Sequence, residues 1–165
     1  YVKSQRSGSK LSDKSPTLTL TGLNHDQLIK EADGDFIVIY CSDKAQQCRN
    51  IKNEVSLLSQ RLRKVDNVWV GQFSTEYNDL PGREFTRVPQ VFLYPKDDKE
   101  HPLKYEGTYK GNDMLEWLYE KGPVISKSEQ VKQEVQKVRD KKQRDEERKQ
   151  ERKDRINSRK NRDEL

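Results

Sequence analysis

Apolar residues recur in short groups along the first 122 residues, and the spacing within the groups changes along the chain. Alternation at residues 17–21 predicts a short strand. The continuous β-branched and aromatic run at 36–40 predicts a strand that is buried on both faces of a sheet. Further strands are predicted at residues 67–73, 91–94 and 103–105.

Helical spacing is found between these strands. Asn24 predicts the start of a helix that ends near Gly34, with Gln27 as its capping-box partner. A long helix is predicted from about Gln47 to Lys64, because its apolar residues lie four, three and four positions apart. This stripe comprises Ile51, Val55, Leu58 and Leu62. Shorter helices are predicted within residues 75–87 and at 112–120.

The order of these elements predicts an α/β fold, since strands and helices alternate and alternation favours a mostly parallel central sheet. A terminal hairpin adds an antiparallel edge. Three regions follow: a flexible lead-in at 1–15, a folded domain at 16–123, and a charged helical or disordered tail at 124–165.

Charge separates the tail from the domain. From Lys127 onward the chain has 15 Lys and Arg against 10 Asp and Glu, so the whole net charge of +5 lies there. Oppositely charged residues four positions apart favour a solvated spacer helix. These pairs are Asp140–Arg144, Lys141–Asp145, Lys142–Glu146, Asp145–Lys149 and Glu151–Arg155. Within the tail, the interspersed acids and the lack of aromatic residues argue against nucleic acid as a partner. Along the whole sequence, no apolar segment is long enough for membrane insertion.

Three segments together resemble a catalytic-type thioredoxin domain of the protein disulfide isomerase family. They are the strand 36–40, the run Arg-Val-Pro-Gln-Val-Phe-Leu-Tyr-Pro at 87–95, and Tyr-Glu-Gly at 105–107. The resemblance covers roughly residues 15–122 and implies the thioredoxin fold. It also implies that Val88–Pro89 is a cis peptide bond, and that Arg87, Val88 and Pro89 form a peptide-docking surface.

The catalytic motif of that family is altered in this chain. If Cys48 matches the second cysteine of Cys-Gly-His-Cys, then Ala45 stands where the family has its nucleophile. The resemblance further places Val38 at the position of a buried Glu and Tyr109 at that of an Arg that tunes a cysteine pKa. Family-type dithiol catalysis is therefore not expected.

The two cysteines leave three interpretations open. Cys41 is typical of a small buried apolar residue at the end of a strand. A Cys41–Cys48 disulfide is a second possibility, provided that the two Cα atoms approach within about 7 Å. Alternatively, Cys48 is a reactive thiol whose pKa is lowered by a helix N-terminus.

The last four residues, Arg162, Asp163, Glu164 and Leu165, resemble the Lys-Asp-Glu-Leu retrieval signal. We therefore expect an endoplasmic-reticulum lumenal protein that is redox-inactive or impaired and binds client or partner polypeptides, with a retrieval receptor as a further partner. A thiol–disulfide oxidoreductase that uses Cys41 and Cys48 is the alternative. No metal and no cofactor are expected.

Overall fold

A computed structural model describes residues 2–164, so Tyr1 and Leu165, the first residue of the lead-in and the last of the tetrapeptide, lie outside the described residues. The strands are β1 (Leu18–Leu20), β2 (Asp35–Cys41), β3 (Val68–Ser74), β4 (Gln90–Tyr94) and β5 (Leu103–Lys104). The helices are α1 (His25–Glu31), α2 (Gln46–Asn50), α3 (Lys52–Arg63), α4 (Gly111–Lys121) and α5 (Glu129–Asp163), with a short 3-10 turn at Ile125–Lys127.

The five strands form one mixed sheet in the order β1-β3-β2-β4-β5. The strand β3 runs parallel to both of its neighbours, β1 and β2, whereas β4 runs antiparallel to β2 and to β5. This is the thioredoxin-like α/β arrangement, and the prediction of a parallel sheet with an antiparallel hairpin at its edge is confirmed.

The central strand β2 separates two apolar cores, because successive side chains of a strand point to opposite faces. Ile37 and Ile39 pack under α3 and α4, whereas Phe36, Val38 and Tyr40 pack on the α1 side. The predicted stripe of the long helix faces the first core. There Leu58 and Leu62 are fully buried, Ile51 is buried and Val55 is half-buried.

Three local predictions are wrong. The long helix is interrupted at Ile51 (φ −93°, ψ 0°), which separates α2 from α3. No helix forms at residues 75–87, where the chain turns at Gly82 (φ +75°), between the bridged residues Leu80 and Arg83. The capping box is not made either, because the Asn24 side chain accepts a hydrogen bond from the Thr21 N–H (2.6 Å) instead of capping α1.

The tail is a single 35-residue helix, and its first turns belong to the packed domain. Val131 and Val135 are each 1% exposed in the core under α4, so the packed part of the chain extends beyond residue 123. Lys142 then contacts α4 through Asp113 (2.6 Å) and Glu116. From Gln143 onward every residue that the structure describes is exposed.

The lead-in lies along the domain. The Lys3 carbonyl accepts a hydrogen bond from the Asp79 N–H (2.7 Å), and the Ser9 N–H donates to the Thr19 carbonyl (2.9 Å). The indole N–H of Trp69 donates to the Leu11 carbonyl (3.2 Å). The flexibility of this segment stays a prediction.

Candidate functional site

A disulfide joins Cys41, the last residue of β2, to Cys48 in α2. The loop between them turns back on itself, since the Ala45 N–H donates to the Ser42 carbonyl (3.1 Å), and this brings the two Cα atoms to 5.8 Å. That distance lies within the range for a bridge. Of the three interpretations, the structure therefore supports the disulfide, and neither cysteine is a free thiol.

Glu76 holds this loop in place. Its carboxylate accepts hydrogen bonds from the Ser42 hydroxyl and from the Lys44 N–H (2.8 Å). The hydrogen bond from Ser42, followed by that from Lys44, lowers the pKa of Glu76 below its usual range. A carboxylate that is charged at neutral pH therefore fixes the segment between the two cysteines.

Ala45, which the sequence resemblance matches to the family's nucleophile, is the residue that precedes α2. Its backbone is extended (φ −83°, ψ 122°), and its carbonyl accepts the Arg49 N–H (3.2 Å). The side chain is a half-buried methyl group at the start of a helix, where a thiolate would be stabilised by the helix N-terminus. A methyl group has no lone pair with which to attack a disulfide.

The Val88–Pro89 bond is cis, as predicted. Tyr40 pairs with Gln90 in the antiparallel β2–β4 ladder, which places Cys41, the residue after Tyr40, next to Pro89, the residue before Gln90. The predicted docking residues therefore lie beside the disulfide. No hydrogen bond to the Val88 backbone occurs within residues 2–164, and Arg87 is exposed.

Tyr109, which the resemblance matches to the family's Arg, contacts the cis-proline loop. Its hydroxyl donates a hydrogen bond to the Pro89 carbonyl (3.0 Å), and partial burial raises the pKa of Tyr109. Val38, which the resemblance matches to the family's buried Glu, is completely buried among apolar side chains on the α1 side of the sheet. Val38 has no titratable group, and the raised pKa of Tyr109 keeps its hydroxyl neutral, so neither side chain is a charged counterpart of the family's Glu or Arg.

A cleft of about 610 Å³ opens on the side of the disulfide that faces α2 and α3. Its lining combines apolar and polar side chains from the sheet, from α2 and α3, and from residues 15–17. The residues that line it include Ile39, Ile51, Val55 and Gln72, together with both cysteines. Across residues 2–164, no group of three or more His, Cys, Asp or Glu side chains is arranged to hold a metal ion.

A buried polar cluster surrounds the Tyr40 hydroxyl on the opposite face of the sheet. The Tyr40 hydroxyl contacts His25 Nε2 (2.7 Å), the Tyr94 hydroxyl (2.5 Å) and the guanidinium of Arg83 (3.1 Å). The Arg83 guanidinium also lies 4.4 Å from the centre of the Tyr40 ring. Burial, and next the neighbouring Tyr94, raises the pKa of Tyr40, so its hydroxyl stays protonated. The apolar pattern gave no indication of this cluster, because its members come from four separate segments.

This cluster makes the stability depend on pH. Burial lowers the pKa of His25 below 6.5, although the adjacent Asp26 opposes the shift. Below about pH 6.5 the unfolded chain therefore binds a proton that the folded chain does not, and the free energy of unfolding should decrease as the pH falls. In urea titrations between neutral pH and about pH 5, His25→Gln should weaken this decrease.

His101 provides the matched control, because it is the only other histidine of the chain. It is exposed, and its hydrogen bond with Asp98 raises its pKa, so it acts with the opposite sign. His101→Gln should therefore make the decrease steeper. A pH profile that is unchanged by His25→Gln would contradict the assignment of a neutral buried imidazole.

Comparisons with known proteins agree with this geometry. The protein disulfide-isomerase A3 of Gallus gallus is 23% identical over 126 residues, which cover 74% of this chain and 25% of that protein. A probable protein disulfide-isomerase A4 of Caenorhabditis elegans is 26% identical, over 74% of this chain and 20% of that protein. No family model matches the chain.

Solved structures give the same result for the fold. The first thioredoxin domain of mouse protein disulfide-isomerase A4 superposes with a TM-score of 0.55 at 14% identity, over 70% of this chain and 86% of that one. Full-length ERdj5 gives 0.53 at 17% identity, over 66% of this chain and 16% of its own. The chain is a distant homologue of the thioredoxin domains of the protein disulfide-isomerase family.

This disulfide-isomerase-like chain spans only a quarter or less of three curated relatives that it matches, namely 25%, 22% and 20% of their lengths. It also differs from the Cys-Gly-His-Cys motif in spacing, because its bridge joins residues seven positions apart. None of the helices within residues 2–164 has the length and apolar character of a membrane span.

Proposed function

We propose that this chain is a disulfide-isomerase-like module of the endoplasmic-reticulum lumen that binds polypeptides without dithiol catalysis. The observation that carries the proposal is the disulfide itself. It joins the end of β2 to α2, whereas position 45, where the family's motif would begin, holds Ala. The bridge therefore serves as a structural covalent link between β2 and α2, next to the proposed docking surface at residues 87–89.

Polypeptide binding is supported by the cis-proline loop. The backbone of Val88 has no hydrogen-bond partner within residues 2–164, and it precedes a strand that continues into the sheet. An extended client segment can pair with such a backbone by adding a short strand. Arg87 is exposed beside it and can bind a carboxylate of the client.

A second candidate function is thiol–disulfide exchange by the pair itself. It is favoured by the half-exposed position of Cys41, which lines the 610 Å³ cleft. A client thiolate would attack Cys41 Sγ, forming a mixed disulfide and releasing Cys48 as the thiolate. A second client thiolate would then release Cys41, so that the client is oxidised and the module reduced.

Cys48→Ala separates the two functions in an insulin-reduction assay with dithiothreitol. We expect the natural protein to be no faster than the uncatalysed reaction, and Cys48→Ala to leave that rate unchanged. Loss of the bridge should cost about 2–3 kcal/mol of stability, so the assay belongs well below the unfolding temperature. A rate like that of an ordinary disulfide isomerase, abolished by Cys48→Ala, would establish the oxidoreductase instead.

Binding is measured separately with a reduced, carboxymethylated protein, which has no free thiol. Cys48→Ala should keep its affinity within about threefold. Arg87→Glu should weaken binding about tenfold, whereas Arg6→Glu, the same change at an exposed lead-in residue, should not. Equal effects of the two substitutions would remove the cis-proline loop from the docking surface.

The lumenal location is supported by the resemblance of residues 162–165 to a retrieval signal. The described part, Arg162 to Glu164, is exposed at the end of α5, well away from the domain. In cells that express the protein behind a signal peptide, deletion of the four residues should move most of it into the medium. Unchanged retention would show that the tetrapeptide is not what holds the protein in the cell.

A further inference from the structure

The projecting part of α5, residues 143–164, separates its arginines from its lysines around the helix. In sequence order, its six arginines are separated by four, four, three, four and three positions. At about 100° per residue, all six lie within a sector of about 80° around the helix axis. They are Arg144, Arg148, Arg152, Arg155, Arg159 and Arg162, and we call them the arginine stripe. The three lysines, Lys149, Lys153 and Lys160, fall in a different sector, and no acidic residue falls within the stripe.

The stripe is exposed and its charges are unpaired. No salt bridge within residues 2–164 involves any of the six arginines, so the predicted pairs Asp140–Arg144 and Glu151–Arg155 are not formed. The nearby acids have other partners. Glu147 and Asp154 accept hydrogen bonds from glutamine amides four residues earlier (3.3 and 3.0 Å), and Glu146 pairs with Lys149 (3.7 Å).

Three properties of the helix restrict what could neutralise these charges. Ile156 is the only apolar residue in residues 143–164, so there is no apolar face to enter a bilayer. There is no aromatic residue on which a base of single-stranded nucleic acid could stack. The choice of arginine over lysine favours ligands that accept two parallel hydrogen bonds from a planar guanidinium, as a carboxylate or a phosphate does.

We propose that the arginine stripe binds an acidic helix of a partner protein. A partner helix with carboxylates at three- and four-residue spacing repeats them at the same pitch of about 5.4 Å, so the contacts stay in register along the stripe. The stripe covers 18 residue steps, a length of about 27 Å. The acids that flank the stripe on α5 repel an acidic partner that approaches from either side, which restricts its position to the stripe.

The test uses the full chain and a labelled synthetic helical peptide with six Glu at the spacing of the stripe. A second peptide has the same composition with its Glu spread around the helix. Binding is followed by fluorescence anisotropy at low ionic strength, where screening is weakest. Arg148→Gln, Arg152→Gln and Arg155→Gln combined should weaken binding of the first peptide about tenfold. The scrambled peptide should bind at least about tenfold more weakly than the first.

The matched control is Lys149→Gln, Lys153→Gln and Lys160→Gln combined, which removes the same charge from another face. It should change the affinity less than about threefold, and circular dichroism checks that both variants keep the helix. Equal losses in the two variants, or equal binding of the two peptides, would mean that net charge alone acts and would overturn the proposal. Tighter binding of duplex RNA or of anionic phospholipid vesicles would also overturn it, as would a homodimer that the arginine substitutions dissociate.

Discussion

Replacement of Asp35 by Ala should lower the free energy of unfolding by about 3–5 kcal/mol. Asp35 is completely buried at the start of β2 and accepts three backbone hydrogen bonds, from the N–H groups of Lys96 (3.0 Å), Val124 (2.9 Å) and Ile125 (3.0 Å). One carboxylate thus joins the β4–β5 connection to the turn that leads into the tail. Without it, three backbone donors lose their acceptor, and each costs about 1–3 kcal/mol if it stays unpaired.

Asp33 is the control for this measurement. It is 84% exposed and makes one ion pair, with Lys96 at 3.5 Å. Asp33→Ala should therefore change the stability by less than about 0.5 kcal/mol in urea unfolding. If Asp35→Ala costs no more than Asp33→Ala, the three hydrogen bonds do not contribute to stability in the way the structure indicates.

Periodicity was sufficient to predict the sheet and the face that the long helix buries. The β-branched and aromatic run 36–40 lies within the central strand, and Leu58 is 1% exposed, because burial on one face produces a regular spacing in the sequence. Elements without such a spacing were missed. The break at Ile51 occurs without Gly or Pro, and the turns at 75–87 depend on the positive φ of Gly82.

Long-range contacts explain the rest of the difference. The Cys41–Cys48 bridge could not be decided from spacing, since it depends on how the loop folds back from strand to helix and on the contact with Glu76. The tail contains few apolar residues, so the burial of Val131 and Val135 was not evident. Lys142 was predicted to pair within its own helix, but it pairs with Asp113 and Glu116 because α4 lies alongside.

Moving the cysteine pair to the family's spacing should create the activity that the natural chain is proposed to lack. In Cys41→Ala/Ala45→Cys, a Cys-x-x-Cys pair is formed by position 45 and Cys48. Position 45 precedes α2, where helix N–H groups stabilise a thiolate and lower its pKa. This position is partly exposed, so the new thiol should be accessible to an insulin disulfide. The loop before it is held by Glu76, which should fix the position of the thiol.

The rate should remain below that of an ordinary disulfide isomerase. Val38 offers no carboxylate for proton transfer. Tyr109 is uncharged and its hydroxyl donates to the Pro89 carbonyl, so no positive charge is supplied there to lower the pKa of the thiol. Cys41→Ala alone is the control, because it removes the bridge and frees Cys48 without placing a thiol at position 45. We expect insulin reduction by the double variant and none by the control. Equal rates in these two proteins would show that the start of α2 does not activate a thiol at position 45, and would contradict this prediction.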